Sequence, residues 1–201
     1  MPKTALILVD LQNDFMPGGA LAVTDGDATV TVANDLMPRY EFVVATQDWH
    51  PPGHGSFAAS HEGKSPGDEI ELAGLPQILW PTHCVQETPG ASFHSSLDVA
   101  GIHAVVRKGE DPQVDSYSGF FDNGGRRATG LTNVLREAQV TSVDVMGLAT
   151  DYCVRFTALD AVKEGLATRL LPHGCRGVEL TPGDVASALE AMSAGGVELL
   201  E

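Results

Sequence analysis

The chain is short of positive charge. Twelve Lys and Arg residues stand against 27 Asp and Glu, for a formal net charge of −15. That balance excludes nucleic acid as a partner, because phosphate backbones are met by basic patches. Cysteine is scarce as well. Cys84, Cys153 and Cys175 are the only three, too few and too scattered for a disulfide framework, and they read as reduced thiols in a cytoplasmic protein. No apolar stretch approaches the roughly 20 residues of a membrane-spanning helix. Met1-Pro2-Lys3-Thr4 leads straight into a strand-like run, so no secretion signal is expected. No G-x-G-x-x-G follows that run, which argues against a dinucleotide site. There is no internal repeat and no low-complexity tract.

What is present suits one globular domain over residues 1–201, with 43% apolar and 19% charged residues. Short β-branched runs at Ala5–Val9, Phe42–Thr46, Ala104–Arg107, Ser142–Gly147 and Thr168–Leu171, and a weaker one at Val197–Leu200, are apolar on both faces. A parallel sheet covered by helices on both sides needs such strands. Between them, Leu131, Val134, Leu135 and Ala138 recur at helical spacing, as do Val185, Ala188, Leu189 and Met192. Val154, Ala158 and Ala161 form a third stripe with Gly165 as its stop, and Val30, Ala33 and Met37 a fourth ended by Pro38. The alternation predicts an α/β fold, a three-layer α/β/α sandwich around a doubly wound, mostly parallel, Rossmann-like sheet. Only residues 48–92 break the rhythm. They are rich in Pro, Gly and His, show little periodicity, and read as an inserted loop that walls the site.

Ligands of such sheets bind beyond the carboxyl ends of the strands. Asp10 ends the first run, Asp48 and His50 follow the second, Lys108 the third, and Cys153 the fourth. Alone, each has an ordinary reading: Asp10 as a turn cap, Lys108 as a solvated surface lysine, Cys153 as a small core residue. Together they place an acid, an amine and a thiol on one rim. Thr150 and Asp151 read as helix caps that would set Cys153 in a first helical turn, where free N–H groups favour a thiolate. Asp10 could then take the thiol proton if burial raises its pKa. Cys84 and Cys175 lack that setting and read as structural.

In "TQDWHPPGH", Asp48 and His50 sit at i and i+2, and point the same way in an extended segment. With His83 from "WPTHC" they offer a carboxylate and two imidazoles, a donor set that suits Zn²⁺ or Fe²⁺, and Mn²⁺ less well. His54 and Ser56 stand by as further donors. Phe15, Trp49, Trp80 and Tyr117 could line a flat pocket for a planar ring.

"ILVDLQNDF", "TQDWHPPGHGSFA", "LWPTHCVQETPGASFH", "VVRKG", "YSGF" and "GLATDYCV" together resemble the nicotinamidases and pyrazinamidases of the isochorismatase-like hydrolase family. The resemblance implies a catalytic triad of Asp10, Lys108 and Cys153, and metal ligands Asp48, His50 and His83, with zinc first and iron or manganese as alternatives. It implies a cis peptide between Leu148 and Ala149, so that the N–H groups of Ala149 and Cys153 form an oxyanion hole. It carries over Phe15, Leu21, Trp80 and Tyr117 as substrate-binding residues. The expected reaction is hydrolysis of nicotinamide, and of pyrazinamide, to the acid and ammonia through a cysteine thioester, feeding NAD salvage in the cytoplasm. The metal would take the pyridine nitrogen. A homo-oligomer is compatible with the resemblance. The competing readings are a different small-amide hydrolase of the same superfamily, and a metal or small-molecule binding module without chemistry.

Overall fold

The computed structural model describes residues 3–200. Six strands form one parallel sheet: β1 (Lys3–Val9), β2 (Phe42–Asp48), β5 (Ala104–Lys108), β6 (Val140–Leu148), β7 (Ala167–Arg176) and β8 (Glu198–Leu199). Their spatial order is β5-β2-β1-β6-β7-β8. The winding reverses between β1 and β6, the place where doubly wound sheets open a crevice. β1 lies at the centre, and Ala5 through Val9 are fully buried. That is why the run is apolar on both faces.

Four helices connect the strands: α1 (Ala28–Leu36), α2 (Leu131–Glu137), α3 (Arg155–Lys163) and α4 (Asp184–Ala194). α1 packs on β6 and β7, α2 on β6, α3 on β6 and β7, and α4 on α3 and β8; the usual right-handed crossovers for this strand order place α1 on the face opposite the other three. The stripes seen in the sequence supply the buried faces: Val30 and Ala33 on α1, Leu131 and Leu135 on α2, Ala158 and Ala161 on α3, Ala188 and Met192 on α4. Among the described residues, no helix is long and apolar enough to cross a membrane.

The structure departs from the sequence reading in three elements. The strand expected to end at Leu171 runs on to Arg176 as β7. The weak strand at 197–200 shrinks to the two residues of β8. Residues 48–92 are not wholly irregular. They hold an antiparallel hairpin of β3 (Glu69–Leu72) and β4 (Leu75–Ile78). Ala73 and Gly74 turn it with φ of 50° and 80°, the positive pair a tight two-residue hairpin requires. β3 alternates as Glu69-Ile70-Glu71-Leu72 with its apolar residues half-buried, but over only four residues, and Pro76 interrupts the pattern of its four-residue partner β4.

Candidate active site and metal centre

Each rim residue owes its place to a strand that ends there. Asp10 is the first residue after β1 and takes a left-handed backbone, φ 52°. A short polar side chain tolerates that region better than most. The turn carries the carboxylate inward, where it is fully buried. Thr46, two residues before Asp48 and on the same face of β2, donates its hydroxyl to Asp10 Oδ1 at 2.6 Å. Lys108 ends β5 with its side chain fully buried. Its Nζ lies 2.7 Å from Asp48 Oδ1, 2.9 Å from Ser116 O, 3.0 Å from Asp10 Oδ2 and 3.4 Å from Cys153 Sγ. Its three N–H donors go to Asp48, Ser116 and Cys153; Asp10 Oδ2 is held by the charge alone, buried without a hydrogen-bond partner. Acid, amine and thiol do meet.

Cys153 lies in a wide π-helical turn, Thr150–Val154, between β6 and α3. The Leu148–Ala149 peptide is cis, and among the described residues no protein group accepts the Ala149 N–H. Two sequence expectations fail here. Neither Thr150 nor Asp151 caps the turn; the Asp151 carboxylate instead accepts from Val178 N and Glu179 N. Nor does the turn favour a thiolate. Burial pushes the Cys153 thiol well above its usual pKa; Lys108 pulls it down, but the Asp10 and Asp48 charges push it up again.

The neighbours divide the charge unevenly. Burial lifts the Asp10 carboxyl above the usual range, against the pull of Lys108. Burial would also lift Asp48, yet Lys108 and His50 hold it well below. Burial would discharge Lys108, but Asp10 and Asp48 keep its ammonium charged. Asp10 is therefore the carboxylate with appetite for a proton, and it sits beside a protonated thiol.

The second cluster shares Asp48. Ligand atoms of Asp48, His50 and His83 all lie within 4.8 Å of one another. Asp48 Oδ2 faces His50 Nε2 at 3.4 Å and His83 Nε2 at 3.6 Å. Each imidazole has its other nitrogen committed: His50 Nδ1 to Gly109 O at 2.9 Å, and His83 Nδ1 to Pro81 O at 2.8 Å. Donation to a carbonyl fixes the proton on Nδ1 and leaves the Nε2 lone pair facing its neighbours, as in histidines that ligate metals. His50 Nε2 is buried with no hydrogen-bond partner. Burial would lower the His50 pKa, but the Asp48 carboxylate raises it, so positive charge is favoured between them. These residues fit a divalent cation. Phe57, 1% exposed, backs both rings edge-on. His54 has both nitrogens in use, Nδ1 with Ser56 Oγ at 2.8 Å and Nε2 with Asp111 O at 2.7 Å. Neither it nor Ser56 joins the cluster.

Gly109 shows how tightly this is built. A Cβ there would meet His50 Cε1 at 2.5 Å, and φ is +69°. Gln12 ties the segment after β1 to the end of β2 and to the inserted loop. Its Nε2 donates to Asp48 O and Ala91 O, both at 2.8 Å, and its Oε1 accepts from Asp48 N at 2.8 Å.

Above Cys153 a narrow cleft of about 30 Å³ is lined by the expected Phe15, Leu21, Trp80 and Tyr117, and also by Asp115, Tyr152 and Val178. Trp80 stands edge-on to Tyr152 at 4.8 Å and to Tyr117 at 6.4 Å, making a slot with flat walls. Trp49, grouped with these by sequence, lies outside the cleft with the Arg107 guanidinium 4.0 Å over its ring. A larger groove of about 630 Å³ runs beyond Tyr117 toward Phe156 and Glu164, away from the converging charges. Thr46, Gln12, Tyr152 and Val178 were not singled out by sequence. Only Thr46, in phase with Asp48, carried a local signal.

The isochorismatase domain family matches residues 4–201. The nicotinamidase of Escherichia coli (strain K12) is 54% identical over 203 residues, an alignment covering 99% of this chain and 95% of that one. Among solved structures, a nicotinamidase/pyrazinamidase of Acinetobacter baumanii superposes with a TM-score of 0.96 at 44% identity, covering 100% of this chain and 97% of the other. A Pyrococcus horikoshii pyrazinamidase in complex with zinc gives a TM-score of 0.80 at 39% identity, over 100% and 99% of the two chains.

Proposed function

The chain belongs to the isochorismatase family, and we infer from its site that it hydrolyses the carboxamide of nicotinamide to nicotinate and ammonia, through a thioester on Cys153. The observation that carries this reading is the meeting of Asp10, Lys108 and Cys153 around one buried ammonium, beside a cation-ready trio and under a flat aromatic slot. We read the whole chain as one domain whose 48–92 insertion supplies the metal ligands.

The ring enters between Phe15, Leu21, Trp80 and Tyr117, which hold the carboxamide carbon over Cys153 Sγ. Asp10, raised by burial, accepts the thiol proton as sulfur attacks the carbon. The oxygen takes up negative charge and is met by the N–H groups of Ala149 and Cys153, each worth about 3 kcal/mol in comparable sites. Asp10 returns the proton to nitrogen, the C–N bond breaks, and ammonia leaves. Water then attacks the thioester and gives one proton to Asp10; the C–S bond breaks, sulfur recovers that proton from Asp10, and the acid leaves as nicotinate after losing its own proton to solvent. Lys108 stays charged throughout and offsets whichever of Asp10 and Cys153 is negative.

Asp48, His50 and His83 would hold the metal. When bound, a divalent ion supplies a Lewis-acidic anchor for the ring nitrogen. Two imidazoles and one carboxylate put Zn²⁺ first, with Fe²⁺ and Mn²⁺ as alternatives. Pyrazinamide presents the same ring nitrogen and carboxamide and is the second expected substrate. The product suits a place in NAD salvage. Three free buried thiols agree with a cytoplasmic enzyme. All groups of the site come from one chain, so a homo-oligomer would not be needed to complete it.

The test is ammonia release from nicotinamide by metal-loaded protein. Turnover lost with chelator, restored by Zn²⁺, Fe²⁺ or Mn²⁺, and absent in Cys153→Ala is the expected result. Metal-loaded protein that releases no ammonia, or near-normal turnover by Cys153→Ala, overturns the reading.

A further inference from the structure

Asp151 has no part in the chemistry above, yet it is 3% exposed and lies two residues from the nucleophile. Its Oδ1 accepts from Val178 N at 3.0 Å and its Oδ2 from Glu179 N at 2.7 Å. Among the described residues, the loop between β7 and α4 makes its other hydrogen bonds within itself or to α4. Thr181 N donates to Asp184 Oδ2, and Gly183 N to Glu179 Oε1. The loop is drawn down hard onto this carboxylate. A Cβ on Gly177 would stand 3.2 Å from Asp151 Oδ1 and 2.2 Å from a Val185 methyl. Glu179 is held at φ 54°, a region such a side chain does not choose. Val178, so anchored, lines the same cleft as Cys153 and Ala149.

We propose that Asp151 is a positioning residue for the substrate: its carboxylate fixes Val178 as one wall of the cleft and locks that wall to the turn that carries Cys153. The proposal rests on the nicotinamidase reading of the site. A carboxylate is suited to the task because both its oxygens accept, matching two N–H donors. An amide of the same size offers one acceptor and turns an N–H against an N–H. The wall would then loosen while Asp10, Lys108 and Cys153 stay in place. That removes binding shared by ground and transition states, which raises KM and spares kcat.

The experiment is steady-state kinetics of metal-loaded Asp151→Asn, Val178→Gly and the double variant, with hydrogen exchange of the Val178 and Glu179 amides in the wild type and in Asp151→Asn. Each single change is expected to raise KM for nicotinamide roughly three- to tenfold with kcat within about twofold. The double variant should be no worse than the weaker single one, since both remove the same wall. The two amides should exchange slowly in the wild type and faster in Asp151→Asn. A fall in kcat at unchanged KM, or KM effects that multiply in the double variant, overturns the proposal. Should Asp151→Asn fail to fold, Val178→Gly and wild-type exchange decide it: unchanged KM, or fast exchange of either amide, is against it. A wild type that does not hydrolyse nicotinamide refutes the functional reading instead, and exchange still judges the anchor.

Discussion

Lys108 and Asp48 form a buried ion pair, with Nζ 2.7 Å from Oδ1, and this pair joins the two halves of the site. The same lysine touches the acid and the thiol that handle the proton. The same aspartate faces both histidines. Charge moved in one half is therefore felt in the other.

Lys108→Met leaves two buried carboxylates without their cation. Breaking such a pair costs about 3–5 kcal/mol, so the metal-free variant should melt well below the wild type. A divalent ion would neutralise Asp48 and recover part of the loss. Thermal melts with and without Zn²⁺ should show a larger metal-induced rise in Tm for the variant than for the wild type, together with loss of turnover.

Asp10→Asn should lower kcat by roughly 10²- to 10⁴-fold, the range for removing a general base. The pH profile carries the sign. Asp10 works only when deprotonated, so activity falls as pH drops through its pKa, and burial has raised that pKa. The acid limb of kcat/KM should lie above the ordinary Asp value of about 3.9. A limb at or below that value contradicts the role. Alkylation by iodoacetamide at neutral pH is a poor reporter here, because burial keeps the Cys153 thiol protonated.

Gly109→Ala should cost metal affinity before it costs the fold. The new methyl would press on His50 Cε1, and the Gly109 carbonyl that holds His50 Nδ1 would have to move. Losing such an outer contact typically weakens metal binding roughly 10- to 100-fold. Titration with Zn²⁺ against a competing chelator measures it.

Alkali should destabilise the protein through Cys175. Burial pushes this thiol from its usual 9.0 up to about 12, with Sγ donating to Leu171 O. A group whose pKa is raised on folding contributes stability in full below the unfolded value, and loses it as pH rises through the folded one. Unfolding free energy should decline between about pH 9 and 12. Tyr40 adds to this, raised by burial and by its bond to Asp144. Cys175→Ala, followed by denaturant melts across that range, should flatten the slope.

The sheet was legible because a fully covered parallel strand leaves a continuous apolar run, as Ala5–Val9 does, and because each helix buries a stripe at fixed spacing. The converging groups were legible once each was placed past a strand end. What stayed hidden is what one residue does to another far along the chain. Gln12 reaches Ala91, 79 residues away, and Asp151 reaches Val178. No period or spacing encodes such a bond. The helix-start argument for a Cys153 thiolate failed for a related reason: local backbone polarity was weighed, but not the burial and the two carboxylates that fold in around the sulfur. The hairpin at 69–78 was missed because its strands are only four residues each, too short for the Glu69-Ile70-Glu71-Leu72 alternation to stand out, and Pro76 breaks the pattern of the second.

The three bonds of the Gln12 amide give the site no life of its own. They stitch the end of β1 to the last residue of β2 and to a loop from the inserted segment, so none of these can fray while the others hold. Heating at saturating metal should therefore extinguish turnover and unravel the sheet in a single transition, with residual activity serving as a thermometer of the entire molecule.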